Sequence, residues 1–281
     1  MPLLRLLSTV PVVIKPSSKE IRSNTLNERS LETAIRQVHL DGLVVVEDVV
    51  PHEHIDILNK KMIADARQLQ ARGEDGPFNY NLGNIQQVAP PVAEYFYPDF
   101  GPRPKWTFCS ANTAMPPVSN TAPPQRQPVH TDADFAHPAH PFALVVNVPL
   151  VCMTPRNGST EIWLGTHNTA ESPHRRASTA SEPPVINKGS IVMCDLRLWH
   201  AGMLNWTDEV RVMLACIHFA SWYRNPMQLE FCEDIKPILE AMDRKGMLEL
   251  QTPVRWVSVD YALNTYLNRA FGNAYNFDQT P

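Results

Sequence analysis

Two stretches of this sequence place metal-ligating side chains where they could work together. Gln127-Pro128-Val129-His130-Thr131-Asp132 sets an imidazole and a carboxylate two residues apart. In an extended strand, alternate side chains project to the same face, roughly 7 Å apart along the chain, so His130 and Asp132 can take adjacent positions on one ion. A third donor must come from elsewhere. His200, in Leu198-Trp199-His200-Ala201-Gly202, follows the apolar run 190–196 and is the candidate. Two histidines and one carboxylate on one face of a metal, with the other positions open, form the donor set of non-haem Fe(II) oxygenases.

A cation accompanies these donors. Arg211 opens the apolar segment VRVMLACIHFA, and alternation puts Arg211, Met213, Ala215 and Ile217 on one face and His218 on the other. A guanidinium in such a strand is costly unless its charge is matched. Either it forms a structural ion pair with Asp195 or Asp208, or it clamps a dianionic cosubstrate, whose carboxylate fits the planar guanidinium fork. Asp134, His137 and His140 also have metal-ligand spacing, but Pro138 and Pro141 put most of that stretch in a loop. His167 and His218 read as core or rim histidines.

The elements that must position these groups are legible from periodicity. Residues 30–40 predict a helix with Ser30 as N-cap, stopped by Asp41-Gly42. Leu43 to Val50 predicts a buried strand. Residues 52–71 predict a second helix, with Ile55, Leu58, Met62, Ala66 and Leu69 on one face. Short strands follow within 78–88, 105–114, 142–152, 160–164, 190–196 and 210–220, and helical patterning returns over 226–271. Helices, then many short strands, then helices suggest a mainly β core with flanking α-helices, best matched by a double-sheet jelly roll. The expected organisation is a single domain over 1–281, with an N-terminal arm (1–28), helices plus jelly-roll core (30–225) and a C-terminal helical region (226–281).

Composition excludes several alternatives. The 281 residues suffice for a core without disulfides. A formal net charge of -4 lacks the basic excess of a nucleic-acid-binding surface. There are 26 prolines and 11 glycines, and no G-x-G-x-x-G or G-x-x-x-x-G-K-[ST] motif, so a helical bundle, a dinucleotide fold and a P-loop are all disfavoured. The prolines cluster around the His130 strand and in 173–184, where loops at a jelly-roll mouth are expected. Five cysteines without C-x-x-C spacing read as reduced thiols. The start MPLLRLLSTVPVVIKP is too short and too interrupted for a signal peptide, and no run approaches the ~18 apolar residues of a membrane span. The sequence reads as an intracellular protein with no membrane or nucleic-acid partner.

Taken in order, H-x-D, the Asn157-Gly158-Ser159-Thr160-Glu161-Ile162-Trp163-Leu164-Gly165-Thr166-His167 segment, His200-Ala201-Gly202, Asn205 and Arg211 resemble the phytanoyl-CoA dioxygenase family. The likeness runs over about 30–225. The helix-Asp41-Gly42 segment and NLGNIQQVAPP are similar to fungal members that tailor secondary metabolites. The resemblance implies a double-stranded β-helix, cupin-like core, with Fe(II), 2-oxoglutarate and O2 as cofactor and cosubstrates. His130, Asp132 and His200 match the iron ligands. Arg211 matches the holder of the distal 2-oxoglutarate carboxylate, Thr166 its hydroxyl partner, and Gln127 a further cosubstrate contact. Leu164 departs from the usual proline, which touches only the turn. Asp132 stands where halogenating relatives carry a small residue, so the implied chemistry is oxidation of an unactivated C–H bond by hydroxylation, desaturation or oxidative cyclisation or rearrangement.

Asn79, Gln87, Met115, Phe135 and Trp222 flank the metal strands and are the expected substrate contacts. The C-terminal aromatics Trp256, Tyr261, Tyr266 and Phe271 would cover the roll or form a homodimer interface, as in related enzymes. Two other readings compete: a cupin-like metal-dependent hydrolase or isomerase, and a non-catalytic jelly-roll binding protein. Neither needs a dicarboxylate clamp.

Overall fold

The computed structural model describes residues 10–72, 79–80, 83–97, 106–117, 126–132, 142–169, 183–220, 229–246 and 254–268. After a two-residue strand, β1 (Val13–Ile14), come helices α1 (Ser18–Ser23) and α2 (Glu28–Asp41), strand β2 (Leu43–Val46) and the long helix α3 (His52–Gln70). Then follow β3 (Asn79–Tyr80), β4 (Asn84–Gln87), β5 (Trp106–Ala114), β6 (Ala143–Pro149), β7 (Glu161–Trp163), β8 (Ile191–Asp195), β9 (Trp199–Ala201) and β10 (Arg211–Phe219). The chain closes with β11 (Leu229–Cys232), α4 (Lys236–Arg244), β12 (Val254–Val257) and α5 (Val259–Thr265).

Eight strands form one sheet in the order β1-β2-β8-β6-β10-β5-β4-β3. The β1–β2 pair is parallel and the other pairings are antiparallel. A smaller antiparallel layer, β7–β9, is extended by the 127–132 segment, which bridges to β9 at His130 and His200. Two layers built from strands distant in sequence are the jelly-roll architecture expected from the sequence.

Strand alternation divides the large sheet into two working faces. Val212, Leu214 and Cys216 of β10, with Val146 and Val148 of β6, pack against Ile55, Leu58, Met62, Ala66 and Leu69 of α3. These five helical positions are the ones the periodicity picked out. Each buried large side chain contributes roughly 1.5–3 kcal/mol. The other face of β10, carrying Arg211, Met213, Ala215 and Ile217, lines a cavity. α3 therefore backs the sheet, and the cavity lies between the sheet and the β7–β9 layer.

Several local expectations are corrected. α2 starts at Glu28 rather than near Ser30, because the Asn27 side chain caps it by accepting from the Ser30 N–H at 2.9 Å. The expected strand 43–50 ends at Val46. Residues 10–28 are not a mere surface arm: β1 adds a parallel edge strand, and α1 carries a capping box between Ser17 and Glu20. The C-terminal region is not purely helical, since β11 and β12 pair in parallel. Of its aromatics, Trp256 packs beside Phe231, and Tyr266 is buried with its hydroxyl donating to Asp65 at 2.9 Å. Both are engaged within the chain itself. Tyr261 is largely exposed, and Phe271 lies outside the described residues.

Candidate metal centre

His130 and His200 face each other across two backbone hydrogen bonds, each N–H donating to the other's carbonyl at 3.0 Å. Their rings lie 4.3 Å apart between centroids. Two residues on, the Asp132 N–H donates to the Leu196 carbonyl at 3.2 Å, which brings the carboxylate round to both rings. Asp132 Oδ1 lies 3.7 Å from His130 Nε2, and Oδ2 lies 3.6 Å from His200 Nε2. One donor atom from each residue lies within 4.8 Å of the others. Among the described residues, no other set of three acidic, histidine or cysteine side chains converges in this way.

The imidazoles are oriented for ligation. His130 Nδ1 sits 2.8 Å from the Pro128 carbonyl, and His200 Nδ1 sits 3.0 Å from the Leu198 carbonyl. A carbonyl can only accept, so each Nδ1 carries the proton and each Nε2 lone pair points to the common centre. Burial, with the neighbouring His200 ring, lowers the pKa of His130 and favours the neutral, ligating form. The donor set thus fits a divalent first-row metal ion.

The 195–198 turn supports two of these ligands. Its Leu196 carbonyl holds the Asp132 backbone, and its Leu198 carbonyl orients His200. The turn is braced by a buried pair in which Arg197 Nε and Nη2 donate to the two Asp195 oxygens at 2.8 and 2.7 Å. Arg197→Met leaves the Asp195 charge buried without its partner. The expected result is a loss of about 3–5 kcal/mol in urea unfolding and metal binding weakened by roughly 10–100-fold. Unchanged unfolding and unchanged Ni(II) titration would show that the turn needs no brace.

Gln127 closes the other end of the 127–132 segment. Its N–H donates to the Gly202 carbonyl at 3.0 Å, and its Oε1 accepts from the Gly202 N–H at 2.9 Å. A Cβ at residue 202 would come within 2.5 Å of that Oε1, so the glycine is required for this close approach. Gln127 also lines the cavity.

Arg211 is 1% exposed and completes the floor. Nη1 donates to the Asn112 carbonyl at 3.0 Å and Nη2 to the Gly158 carbonyl at 2.6 Å. Its Nε has no partner, and no carboxylate pairs with it among the described residues. Asp195, one candidate partner in a structural pair, is bound to Arg197 instead. Burial brings the Arg211 pKa down to about 10, so the side chain stays charged at neutral pH. Arg211 is thus a buried cation without a carboxylate partner among the described residues, and it lines a cavity of about 550 Å³. That volume lies within the usual range for small-molecule sites.

The remaining sequence expectations divide. Thr166 does not line the cavity: its hydroxyl donates to the Trp163 carbonyl at 2.7 Å and accepts from the Trp199 N–H at 3.0 Å, tying β7 to β9. Thr160, six residues earlier, does line it, and its hydroxyl has no partner among the described residues. Gln87 turns to the opposite face, where its amide donates to the Met62 carbonyl and the Thr113 hydroxyl. Met115 is buried in the α3-side core. Neither contacts the cavity, because alternation gives that face to Asn84 and Gln86 instead. Asn79 pairs with Ile85 in β3–β4. Phe135 and Trp222 lie outside the described residues, as do Asp134, His137 and His140.

Comparison with known proteins agrees with this architecture. The family model for phytanoyl-CoA dioxygenase matches residues 38–213, more than half of the chain. This chain belongs to the phytanoyl-CoA dioxygenase family. It is a non-haem iron, 2-oxoglutarate-dependent oxygenase. AviO1 from Streptomyces viridochromogenes Tue57 shares the fold, with a TM-score of 0.50 and 18% identity over 69% of this chain and 96% of its own. Two further structures resemble it with TM-scores of 0.47 and 0.48. SnoN, a non-haem alpha-ketoglutarate-dependent epimerase from nogalamycin biosynthesis, is 17% identical over 69% of this chain and 85% of its own. HygX from Streptomyces hygroscopicus, solved with nickel and 2-oxoglutarate bound, is 12% identical over 74% and 91%. No helix among the described residues is long and apolar enough to cross a membrane.

Proposed function

We propose that this oxygenase oxidises an unactivated C–H bond of a small molecule, in the manner of natural-product tailoring enzymes. The observation that carries the reading is Arg211: a buried, charged guanidinium, without a carboxylate partner among the described residues, in the same cavity as the His130–Asp132–His200 centre. A hydrolase or isomerase on the same triad would have no use for it.

His130, Asp132 and His200 would hold iron through Nε2 of each imidazole and the carboxylate. The Arg211 fork would hold the distal carboxylate of 2-oxoglutarate, with the Gln127 amide donating from the opposite layer. Thr160, which lines the cavity where Thr166 does not, would supply a hydroxyl there. When bound, iron and 2-oxoglutarate together turn dioxygen into a two-electron oxidant, with succinate and carbon dioxide as by-products. For hydroxylation, one substrate C–H becomes C–OH, one oxygen atom enters the substrate and the other enters succinate. The chain's own contribution is placement. Paired backbone bonds fix the two histidines, the 195–198 turn fixes Asp132, and the apolar residues Leu43, Val192, Met153, Ile186 and Ile162, which line the cavity, would exclude water from a bound cosubstrate.

The test is aerobic turnover with Fe(II), ascorbate and 2-oxoglutarate labelled at C1. Release of labelled carbon dioxide in step with succinate is expected, with zinc unable to replace iron. Turnover supported by zinc, or none with iron, would contradict the oxygenase assignment.

A further inference from the structure

The cavity floor has a second region that the metal centre and Arg211 do not use. The register aligns Gln86 of β4 with Asn112 of β5, and Asn112 with Met213 of β10. One row away Ser110 sits opposite Ala215, and Asn84 shares the row of Arg211 with Ala114 between them. Asn84, Gln86, Ser110 and Asn112 all face the cavity. None of their side chains makes a hydrogen bond to a described residue, although Asn84 and Ser110 are buried. Three carboxamides and a hydroxyl, on two adjacent strands, are thus left open toward the same space. Two of the four residues are buried and the other two half-buried, so this cluster offers a ligand in the cavity polar groups that no described side chain or backbone group engages.

The charges around this wall limit what the ligand can be. The ionisable groups that line the cavity among the described residues are the three metal ligands, Arg211, Asp195 and Cys194. Asp195 is neutralised by Arg197. Burial pushes the Cys194 thiol up to about 12, so it is uncharged. With Arg211 assigned to 2-oxoglutarate, no described cation or anion remains to match a charge on the substrate. Carboxamides instead offer one donor and one acceptor function each, the complement of neutral carbonyl, hydroxyl and amide groups. Beside them, Ala215, Ile217 and Val145 give an apolar surface on the central strands.

We infer that the β4–β5 wall, Asn84, Gln86, Ser110 and Asn112, is the recognition surface for the prime substrate, and that this substrate is an uncharged molecule presenting carbonyl and hydroxyl or N–H groups along one edge of an apolar body. Carboxylates, ammonium compounds and coenzyme A thioesters are disfavoured in this site, because each would bring in a charge with no partner among the described residues. The inference rests on the proposed assignment of Arg211 to 2-oxoglutarate.

The experiment uses the full-length protein under anaerobic conditions with Fe(II) and 2-oxoglutarate. Substrate binding beside the metal perturbs the visible metal-to-ligand charge-transfer band. Two matched pairs of probes are titrated: cyclo(Phe-Phe) against linear Phe-Phe, and progesterone against cholate. The neutral member of at least one pair is expected to perturb the band at a tenfold or lower concentration than its charged counterpart. The double substitution Gln86→Leu, Asn112→Leu should weaken that response at least tenfold. A charged member acting as well as its neutral counterpart overturns the inference, as does a panel in which neither neutral probe perturbs the band. So does a response unaffected by the double substitution. Absence of the band before any probe is added is a different failure, that of the metal and cosubstrate assignment.

Discussion

Arg211→Gln raises the apparent KM for 2-oxoglutarate by roughly 30-fold or more, while the affinity for iron changes by only a few-fold. The magnitude follows from burial. Truncating one member of a buried, hydrogen-bonded charge pair costs about 2–5 kcal/mol, and each 1.4 kcal/mol is about tenfold in affinity. Arg211 is one of the most deeply buried charges among the described residues, none of which offers it a carboxylate, so the cosubstrate would supply its counter-charge. Arg211→Lys restores the charge but not the planar fork, and should recover only part of the loss. The side chain also donates to the Asn112 and Gly158 carbonyls, so a structural role must be separated from cosubstrate binding. Steady-state titrations of iron and 2-oxoglutarate on the same variant make that separation. Equal losses for both would mean that Arg211 supports the fold rather than the cosubstrate.

Asp132→Ala has the other large effect. Outer partners of metal ligands typically contribute 10–100-fold to metal affinity, so loss of a direct donor is expected to exceed roughly 100-fold. Succinate formation should fall to background. The carboxylate is the only anion in the triad, and its side chain is 45% exposed, so removing it leaves no cavity in the core. Folding should therefore survive, and equilibrium dialysis with Ni(II) reads the metal site without turnover. Asp132→Glu lengthens the arm from a backbone fixed by the Leu196 carbonyl, and should bind metal more weakly than the unsubstituted protein. Dialysis curves that overlay those of the unsubstituted protein would remove Asp132 from the centre.

The donors were legible in the sequence because their geometry is local. His130 and Asp132 are two residues apart in one extended segment, and His200 lies next to an apolar strand. Arg211 was legible because a charge opening an apolar strand demands an explanation. What failed was parity and position. Gln87 and Gln86 differ by one residue, yet a one-residue shift along a strand exchanges the α3 face for the cavity face. Thr160 and Thr166 belong to one continuous motif, but β7 ends at Trp163, and Thr166 falls in the turn beyond it, where its hydroxyl ties β7 to β9. The parallel β11–β12 pair was missed because its strands are separated by a helix and carry no hairpin turn to announce them. The brace between Asp195 and Arg197 is a spacing of two residues around a turn, visible only once the turn itself is seen to hold Asp132 and His200.

In the proposed site, one cavity holds iron at His130, Asp132 and His200 and 2-oxoglutarate at Arg211. The most direct measurement is anaerobic addition of Fe(II) and then 2-oxoglutarate to the full-length protein, followed in the visible spectrum. The expected result is a charge-transfer band that saturates near one equivalent of each. The band should be lost in Asp132→Ala, and in Arg211→Gln it should need far more 2-oxoglutarate to appear. A protein that gives no band, or a band that persists unchanged in both variants, would contradict this assignment.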